Sequence, residues 1–268
     1  MPDDVYTHGH DESVLRSHRW RTAENSAPHL LTHLRPGLDV LDVGCGPGTI
    51  TCDLADRVAP GKVVGVDRSD EVVDAAREEA ARRGAEVEFR TGDVYRLDFA
   101  DHTFDVVHAH QVLQHLTDPV AALVEMKRVC KPGGVVAVRD ADYRSFAWAP
   151  ADERLSRWLG LYRLVALANG AEPDAGRHLK EWALAAGFEP AGIAAGASVW
   201  CFTEADDRAW WGGLWADRMR QSDVATQALE RGQTTPDERE SIVAGWLEWI
   251  ESPAGWFTVL HGEVVATA

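Results

Sequence analysis

The stretch that most constrains this chain is Leu41–Ile50, LDVGCGPGTI. An apolar run, Val40 to Val43, leads into glycines at positions 44, 46 and 48, and a helix-like run begins near Thr49. Glycine permits positive φ and lets a ligand approach the main chain. A helix starting directly after such a turn offers free N–H groups and a partial positive charge to an anionic group. The stretch therefore predicts a strand, a ligand-holding turn and a helix. Spacing removes two common occupants. A P-loop requires G-x-x-x-x-G-K-[ST], and no lysine follows here. The nicotinamide fingerprint is G-x-G-x-x-G, whereas these glycines fall as G-x-G-x-G, with Asp42 two residues before the first. A nucleoside carrying a carboxylate and an amine fits better than a pyrophosphate.

The surrounding pattern extends this local unit. Apolar runs at 40–44, 63–67, 87–90, 104–109 and 134–140 alternate with amphipathic segments near 48–58, 69–83 and 117–130. Strands that alternate with helices predict an α/β fold, a mainly parallel sheet covered on both faces. Continuous apolar runs are what strands buried on both faces require. Asp67 closes the second run, where a carboxylate can accept hydrogen bonds from both ribose hydroxyls. Thr91-Gly92-Asp93-Val94 follows the third, where a carboxylate can accept from an adenine amino group with Val94 alongside the ring. His110-Gln111 follows the fourth. Lys131-Pro132-Gly133-Gly134 reads as a turn before the fifth, and Asp105 as a strand-start residue with a structural role.

At the N-terminal end, a polar arm precedes a segment with Val14, Leu15 and His18, then Ala27, Leu30, Leu31 and Leu34, at roughly helical spacing; Pro36-Gly37 stops it. Past residue 150, segments 154–169 and 175–186 read as helices. Residues 196–202 read as a strand, 204–251 as mainly helical, and 256–268 as a final strand. Seven of the eleven tryptophans fall at or after Trp200.

The net charge of −16 repels nucleic-acid backbones and anionic membrane surfaces. Four cysteines are spread without a C-x-x-C pair, which predicts free buried thiols and neither a zinc site nor a redox motif. No apolar stretch is long enough to span a bilayer, and the polar, acidic start lacks a signal-peptide core. A cytoplasmic protein with no membrane and no nucleic-acid partner is expected.

Taken together, VLDVGCGPGT, VVGVDRS, TGDVYRLDF, FDVVHAHQVLQHL and MKRVCKPGGVV resemble the successive motifs of class I S-adenosylmethionine-dependent methyltransferases. The nearest resemblance is to the group containing ubiquinone and menaquinone C-methyltransferases and many small-molecule enzymes. It covers about residues 38 to 140. The resemblance implies a Rossmann-like, seven-stranded sheet in the order 3-2-1-4-5-7-6 with the last strand antiparallel. Residues 196–202 and 256–268 would be strands six and seven, with a helical insertion between them. It also implies S-adenosylmethionine as cofactor, S-adenosylhomocysteine as product, and a small organic acceptor methylated at O, C or N. Asp42, Gly44 and Gly46 would form the first cofactor loop, with Gly48 and Thr49 starting its helix. Asp67 would hold the ribose with Arg68 beside the adenine, and Gly92, Asp93 and Val94 would form the adenine loop. His110 and Gln111 would lie near the methionine part, and Tyr6 is a contact from the arm.

The expected layout is a single domain: residues 1–36 as arm and lid helix, 37–203 as core, 204–252 as a substrate cap and 253–268 as the last strand. His110, at the carboxyl edge of the sheet, is the candidate general base. His8 and His10 belong to the polar arm. His18 and Trp20 either line the pocket or pack in the core, and His115 has a structural role or a distant place in the pocket. Asp140 and Asp142 are candidates for polar substrate contacts; no metal is expected. A few late tryptophans would line the acceptor site. The alternatives are a non-catalytic cofactor-binding or regulatory module on the same fold, and an RNA or protein methyltransferase. The N/D-P-P-Y/F signature is missing after strand four, which with the charge disfavours nucleic acid.

Overall fold

The computed structural model describes Asp4, Thr7 and residues 17–268. Tyr6, His8, His10, Val14 and Leu15 lie outside the described residues. Among the described residues eight strands form one sheet: β1 (Val40–Val43), β2 (Val63–Asp67), β3 (Glu88–Thr91), β4 (Phe104–His110), β5 (Cys130–Ala141), β6 (Ala147–Ala149), β7 (Ile193–Phe202) and β8 (Trp256–Thr267). The first five pair in parallel in the order β3-β2-β1-β4-β5. β8 runs antiparallel to β5 and to β7. The spatial order is thus the expected 3-2-1-4-5-7-6, with one addition. β6 pairs with β8 at Ala147↔Thr258 through Ala149↔Trp256, on the edge that β5 occupies farther along. After a 3-10 turn at Tyr143–Ser145, β6 therefore extends the line of β5.

Helices flank the sheet: α1 (Ala23–Ser26), α2 (Pro28–Leu31), α3 (Thr49–Val58), α4 (Asp70–Arg83), α5 (Pro119–Val129), α6 (Glu153–Ala168) and α7 (Leu179–Ala185). Three more, α8 (Ala205–Gln221), α9 (Asp223–Glu230) and α10 (Pro236–Glu251), stand between β7 and β8. Caps explain several boundaries. Ser69 accepts from Val72 N and opens α4, Gly84 closes it in the left-handed region, and Asp118 accepts from Ala121 N at the start of α5.

Two expectations fail for stated reasons. Among the described residues the N-terminal segment is helical at 17–19 and then forms two separate four-residue helices, in place of one helix. Thr22 and Asn25 make a capping box for the first, and Pro28 begins the second. Proline lacks the N–H needed for a continuous helix and drives the residue before it out of the helical region. Lys131–Gly134 is not a free turn but lies within β5. Phe104 pairs with Cys130 and Val106 with Val135, so the intervening residues form a bulge, with Gly133 at φ +79°.

The core has distinct layers. One face of the sheet packs on α5 and α7 through Leu41, Val107, Leu123, Met126, Val136 and Leu179. The other packs on α1, α2 and α3 through Val40, Val106, Leu54, Leu30 and Ala23. A separate aromatic core joins α6 to α8 and α10 and to β8: Trp158, Tyr162, Trp211, Trp215, Trp246, Trp249 and Phe257. Trp158 stands edge-on to both Trp215 and Trp246, at 4.5 and 4.8 Å between centroids. Cys45, Cys52 and Cys130 are buried, as expected, whereas Cys201 is exposed because its strand turns that side chain away from the core. No helix among the described residues is long and apolar enough to cross a membrane.

Candidate active site

One continuous cavity of about 1130 Å³ runs along the carboxyl ends of β1, β2 and β4 and continues beneath the late helices. Its first wall is the glycine turn. Gly44 has φ +65°, and a Cβ there would collide with Val112. Gly46 has φ +54° but open space, with His18 Nδ1 3.9 Å from where its Cβ would be. Gly48 behaves differently: a Cβ would stand 2.8 Å from the Phe89 ring, so this glycine serves packing beneath the turn. Gly48 does not line the cavity, although Thr49 does.

The turn is tied to the next strand. Gly44 N and Cys45 N donate to Val66 O at 2.7 and 3.0 Å, and Gly46 N donates to Asp67 Oδ2 at 3.1 Å. Asp67 Oδ1 accepts from Ser69 N at 3.2 Å. These contacts hold the half-buried Asp67 carboxylate against the turn at the edge of the cavity. Asp42 also reaches the wall, but its oxygens are engaged inward. Oδ2 accepts from Thr51 Oγ1 at 2.6 Å, and Oδ1 meets His108 Nδ1 at 2.7 Å. It holds the base of the turn in place.

The second wall is Thr91 to Arg96. Asp93 is exposed and caps its own turn by accepting from Tyr95 N at 2.9 Å; Gly92 leaves room for Val66. Arg68 donates to Asp4 O at 2.7 Å, and the Asp4 carboxylate accepts from Thr117 N at 2.8 Å and Tyr95 OH at 3.2 Å. One residue of the N-terminal arm is thereby fixed at the mouth. Residues Asp42, Gly44, Gly46, Thr49, Asp67, Arg68, Gly92, Asp93, Val94, His110 and Gln111 all line this one cavity.

His110 ends β4 and is 5% exposed. Neither ring nitrogen has a hydrogen-bond partner among the described residues. Burial, helped by the cations Arg21 and Arg139, holds its imidazole well below its usual range. His115 lies on the cavity too, driven down to about 3 chiefly by burial. His18 lines the cavity, whereas Trp20 packs against Trp200, Phe202 and Trp210.

Asp140 and Asp142 do not line the cavity. Asp140 is fully buried and accepts from Gln114 N at 3.0 Å; burial pushes it up to about 7. Asp142 forms a two-point ion pair with Arg177 at 2.6 and 2.7 Å. Both serve the loops after β4 and β5, so the substrate contacts expected of them are not there. No group of three His, Cys, Asp or Glu side chains among the described residues is placed to hold a metal.

The far chamber holds residues that sequence patterns did not single out. Arg21, Tyr143, Phe146 and Arg218 join Trp200, Trp210, Trp211 and Trp215 around it. Arg218 Nη2 donates to Ser17 Oγ at 2.7 Å, linking α8 to the N-terminal segment, and its guanidinium lies 4.9 Å from the Trp215 ring centre. These residues converge only in the folded chain, and no motif spacing announces them.

The family model described as a methyltransferase domain matches residues 34–187. An uncharacterized methyltransferase of Schizosaccharomyces pombe is 38% identical, over 97% of this chain and 95% of its own length. A protein of Aspergillus luteorubrus named as a probable methyltransferase is 30% identical, over 97% and 96%. A demethylmenaquinone methyltransferase of Beutenbergia cavernae is 37% identical over 55% of this chain and 58% of its own. Among solved structures, the YcgJ protein of Bacillus subtilis superimposes with a TM-score of 0.57 at 20% identity, over 90% of this chain and 98% of its own, a likeness of fold. The chain belongs to the methyltransferase domain family and is a class I S-adenosylmethionine-dependent methyltransferase.

Proposed function

We propose that this enzyme transfers a methyl group from S-adenosylmethionine to a small organic acceptor at O, C or N within this cavity. The carrying observation is convergence: the Gly44–Gly46 turn, Asp67 and Asp93 share one continuous space with a chamber of tryptophans. Its volume of about 1130 Å³ exceeds the ~300–1,000 Å³ typical of a pocket for one drug-sized ligand. That supports room for a nucleoside cofactor and a second small molecule. The name of the Beutenbergia cavernae relative points to a quinone-type small molecule as one acceptor in the family.

The residues present fit the cofactor. Asp67 would take the ribose hydroxyls, Asp93 and Val94 the adenine with Arg68 beside it, and the bare main chain at Gly44 and Gly46 the close approach. Gln111, His110 and Arg21 would face the methionine part. When bound, the cofactor supplies a methyl group on a sulfonium sulfur, open to in-line displacement by the acceptor. The chain's own work is alignment and exclusion of water. Tyr143, Phe146, Val259 and the four tryptophans supply the dry wall. His110, neutral and weakly basic where it is buried, orients an acceptor hydroxyl or amine by a hydrogen bond; as a base it suits only an already acidic proton.

Residues 1–36 and 204–252 act as lid and cap in this reading. Ser17, His18 and Arg21 come from the first, and Trp210, Trp211, Trp215 and Arg218 from the second. The deciding experiment screens metabolites for formation of S-adenosylhomocysteine, alongside calorimetric titration with S-adenosylmethionine and with NAD. Turnover with a small acceptor, and weaker cofactor binding in a folded Asp67→Ala variant, are expected. NAD binding without S-adenosylmethionine binding overturns the reading, and unchanged affinity in Asp67→Ala removes the ribose role.

A further inference from the structure

The two edges of the sheet are built differently. β3 is four residues long, and its exposed Glu88 and Arg90 form an ion pair at 2.6 Å. Arg77 Nη2 donates to Phe89 O at 2.9 Å. A short strand, charged side chains and an occupied carbonyl keep a free edge from pairing with other chains. β7 has none of these devices. It runs for ten residues, and β8 is its only strand partner among the described residues. Its pairs from Ile193↔Ala266 to Phe202↔Phe257 keep one unbroken register, so no bulge twists this edge away. From Ala194 to Phe202, its backbone makes no hydrogen bond beyond β8 among the described residues.

The side chains on β7 suit a close neighbour. Its exposed positions are Ala194, Ala195, Gly196, Ala197, Val199 and Cys201, with Val199 at 50% exposure. All are small enough for a second backbone to reach ladder distance, about 4.8 Å. The bulky Trp200 and Phe202 are buried instead in the aromatic core. From Pro190 to Thr203 no residue is charged, in a chain of net charge −16. Two copies repel each other across their acidic surfaces, and this neutral run is where they can meet.

We propose that β7 is a dimer interface: it pairs antiparallel with β7 of a second copy of this chain, joining two sheets into one across a two-fold axis near Ala197. Antiparallel pairing of a strand with its own copy is symmetric, so one edge serves both partners and the contact closes at two. The opposite edge cannot extend the assembly, because β3 is short and charged. A ten-residue strand is about 33 Å long. Pairing over that length covers on the order of 500 Å² per copy, the low end of specific interfaces, so the dimer is reversible with a Kd in the micromolar range. The interface backs onto the chamber of tryptophans. Trp200, between the exposed Val199 and Cys201, lines the cavity, and its Nε1 donates to Asn25 O at 2.6 Å.

Sedimentation velocity on the full chain, over about 1–100 µM, reads the assembly. The wild type is expected to pass from monomer to dimer and no further. Ala195→Lys and Val199→Lys each bring like charges into the paired edge and are expected to raise the dimer Kd at least about tenfold. Melting followed by circular dichroism checks that each variant folds. A cysteine trap supplies a readout that disrupts nothing. In a Cys201→Ser background, Ala197→Cys sets two thiols face to face at the axis, and mild oxidation is expected to give a covalent dimer. Ala194→Cys in the same background lies about 20 Å from its copy and is expected to stay uncrosslinked. If a lysine variant fails to fold, the trap decides. A wild type that stays monomeric throughout overturns the proposal. So does a dimer that tolerates both lysines, growth beyond the dimer, or a trap that closes at Ala194→Cys and not at Ala197→Cys.

Discussion

Asp42 and His108 stand directly opposite each other on adjacent strands, with Asp42 Oδ1 2.7 Å from His108 Nδ1 and both side chains out of water. This cross-strand contact lies just beneath the glycine turn, and Thr51 Oγ1 completes it from α3. Asp42→Ala leaves a buried imidazole and a buried hydroxyl without their acceptor. A loss of about 3 kcal/mol is expected, since each abandoned group costs roughly 1–3. Thr51→Val should cost about 1 kcal/mol. Urea denaturation measures both; a loss under half a kcal/mol for Asp42→Ala would show that the contact adds little.

Gly44 and Gly46 separate backbone strain from crowding. Both have positive φ, so alanine costs about 1–2 kcal/mol at either position. Only Gly44 also faces a collision, with Val112. Gly44→Ala is expected to melt several degrees below Gly46→Ala, and adding Val112→Ala should recover part of the difference. Equal melting temperatures for the two single variants would refute the crowding.

Asp140 makes stability depend on pH. Burial raises its folded-state pKa from the ordinary 3.8 to about 7. The folded state therefore holds this proton more tightly than the unfolded chain does. The stabilisation is full below about pH 4 and is lost as pH rises through 7. Asn keeps the acceptor for Gln114 N but cannot ionise. Asp140→Asn should match the wild type near pH 4 and exceed it at pH 8 by a few kcal/mol. Melting curves across that range check this; a constant difference would place the ionisation elsewhere.

His110 sits on the reaction path in the proposed reading, yet the burial and cations around it keep it neutral through the physiological range. His110→Gln is expected to lower kcat about tenfold, below the ~10²–10⁴ of a full general base. The pH–rate profile of the wild type should lack an acid limb near 6.5. Such a limb in the wild type, abolished by the substitution, would instead establish His110 as the base.

What the sequence displayed was whatever is local. The strand–turn–helix at Val40–Val58, the helix 70–83 with its Ser69 cap and Gly84 stop, and Asp67 and Asp93 at strand ends all follow from short-range pattern. The order of β7 and β8 came with the family resemblance. Other features depend on tertiary context. Lys131–Gly134 looks like a turn, because only pairing with β4 and β8 shows it to be a bulge inside a strand. Asp140 looks like a pocket carboxylate, because its backbone partner at Gln114 comes from another loop. Arg21, Tyr143 and Arg218 lie in unremarkable helical or coil sequence, and only folding brings them to the same chamber.

Phe202 at the end of β7 and Phe257 at the start of β8 are register partners, so the chain leaves and re-enters the sheet at one point. Helices α8 to α10 thus hang from a closed doorway: a tight turn joining Phe202 to Phe257 would keep the β8 pairings with β5 and β7 and give up only Ala149↔Trp256 of β6. Such a segment can be exchanged between enzymes as a cassette. The aromatic core sets the cut lines, since Trp158 and Tyr162 of α6 are buried against Trp215 and Trp246. A transplant that changes acceptor choice while keeping the sheet must therefore carry α6 along with the three helices, or leave a tryptophan face open to water.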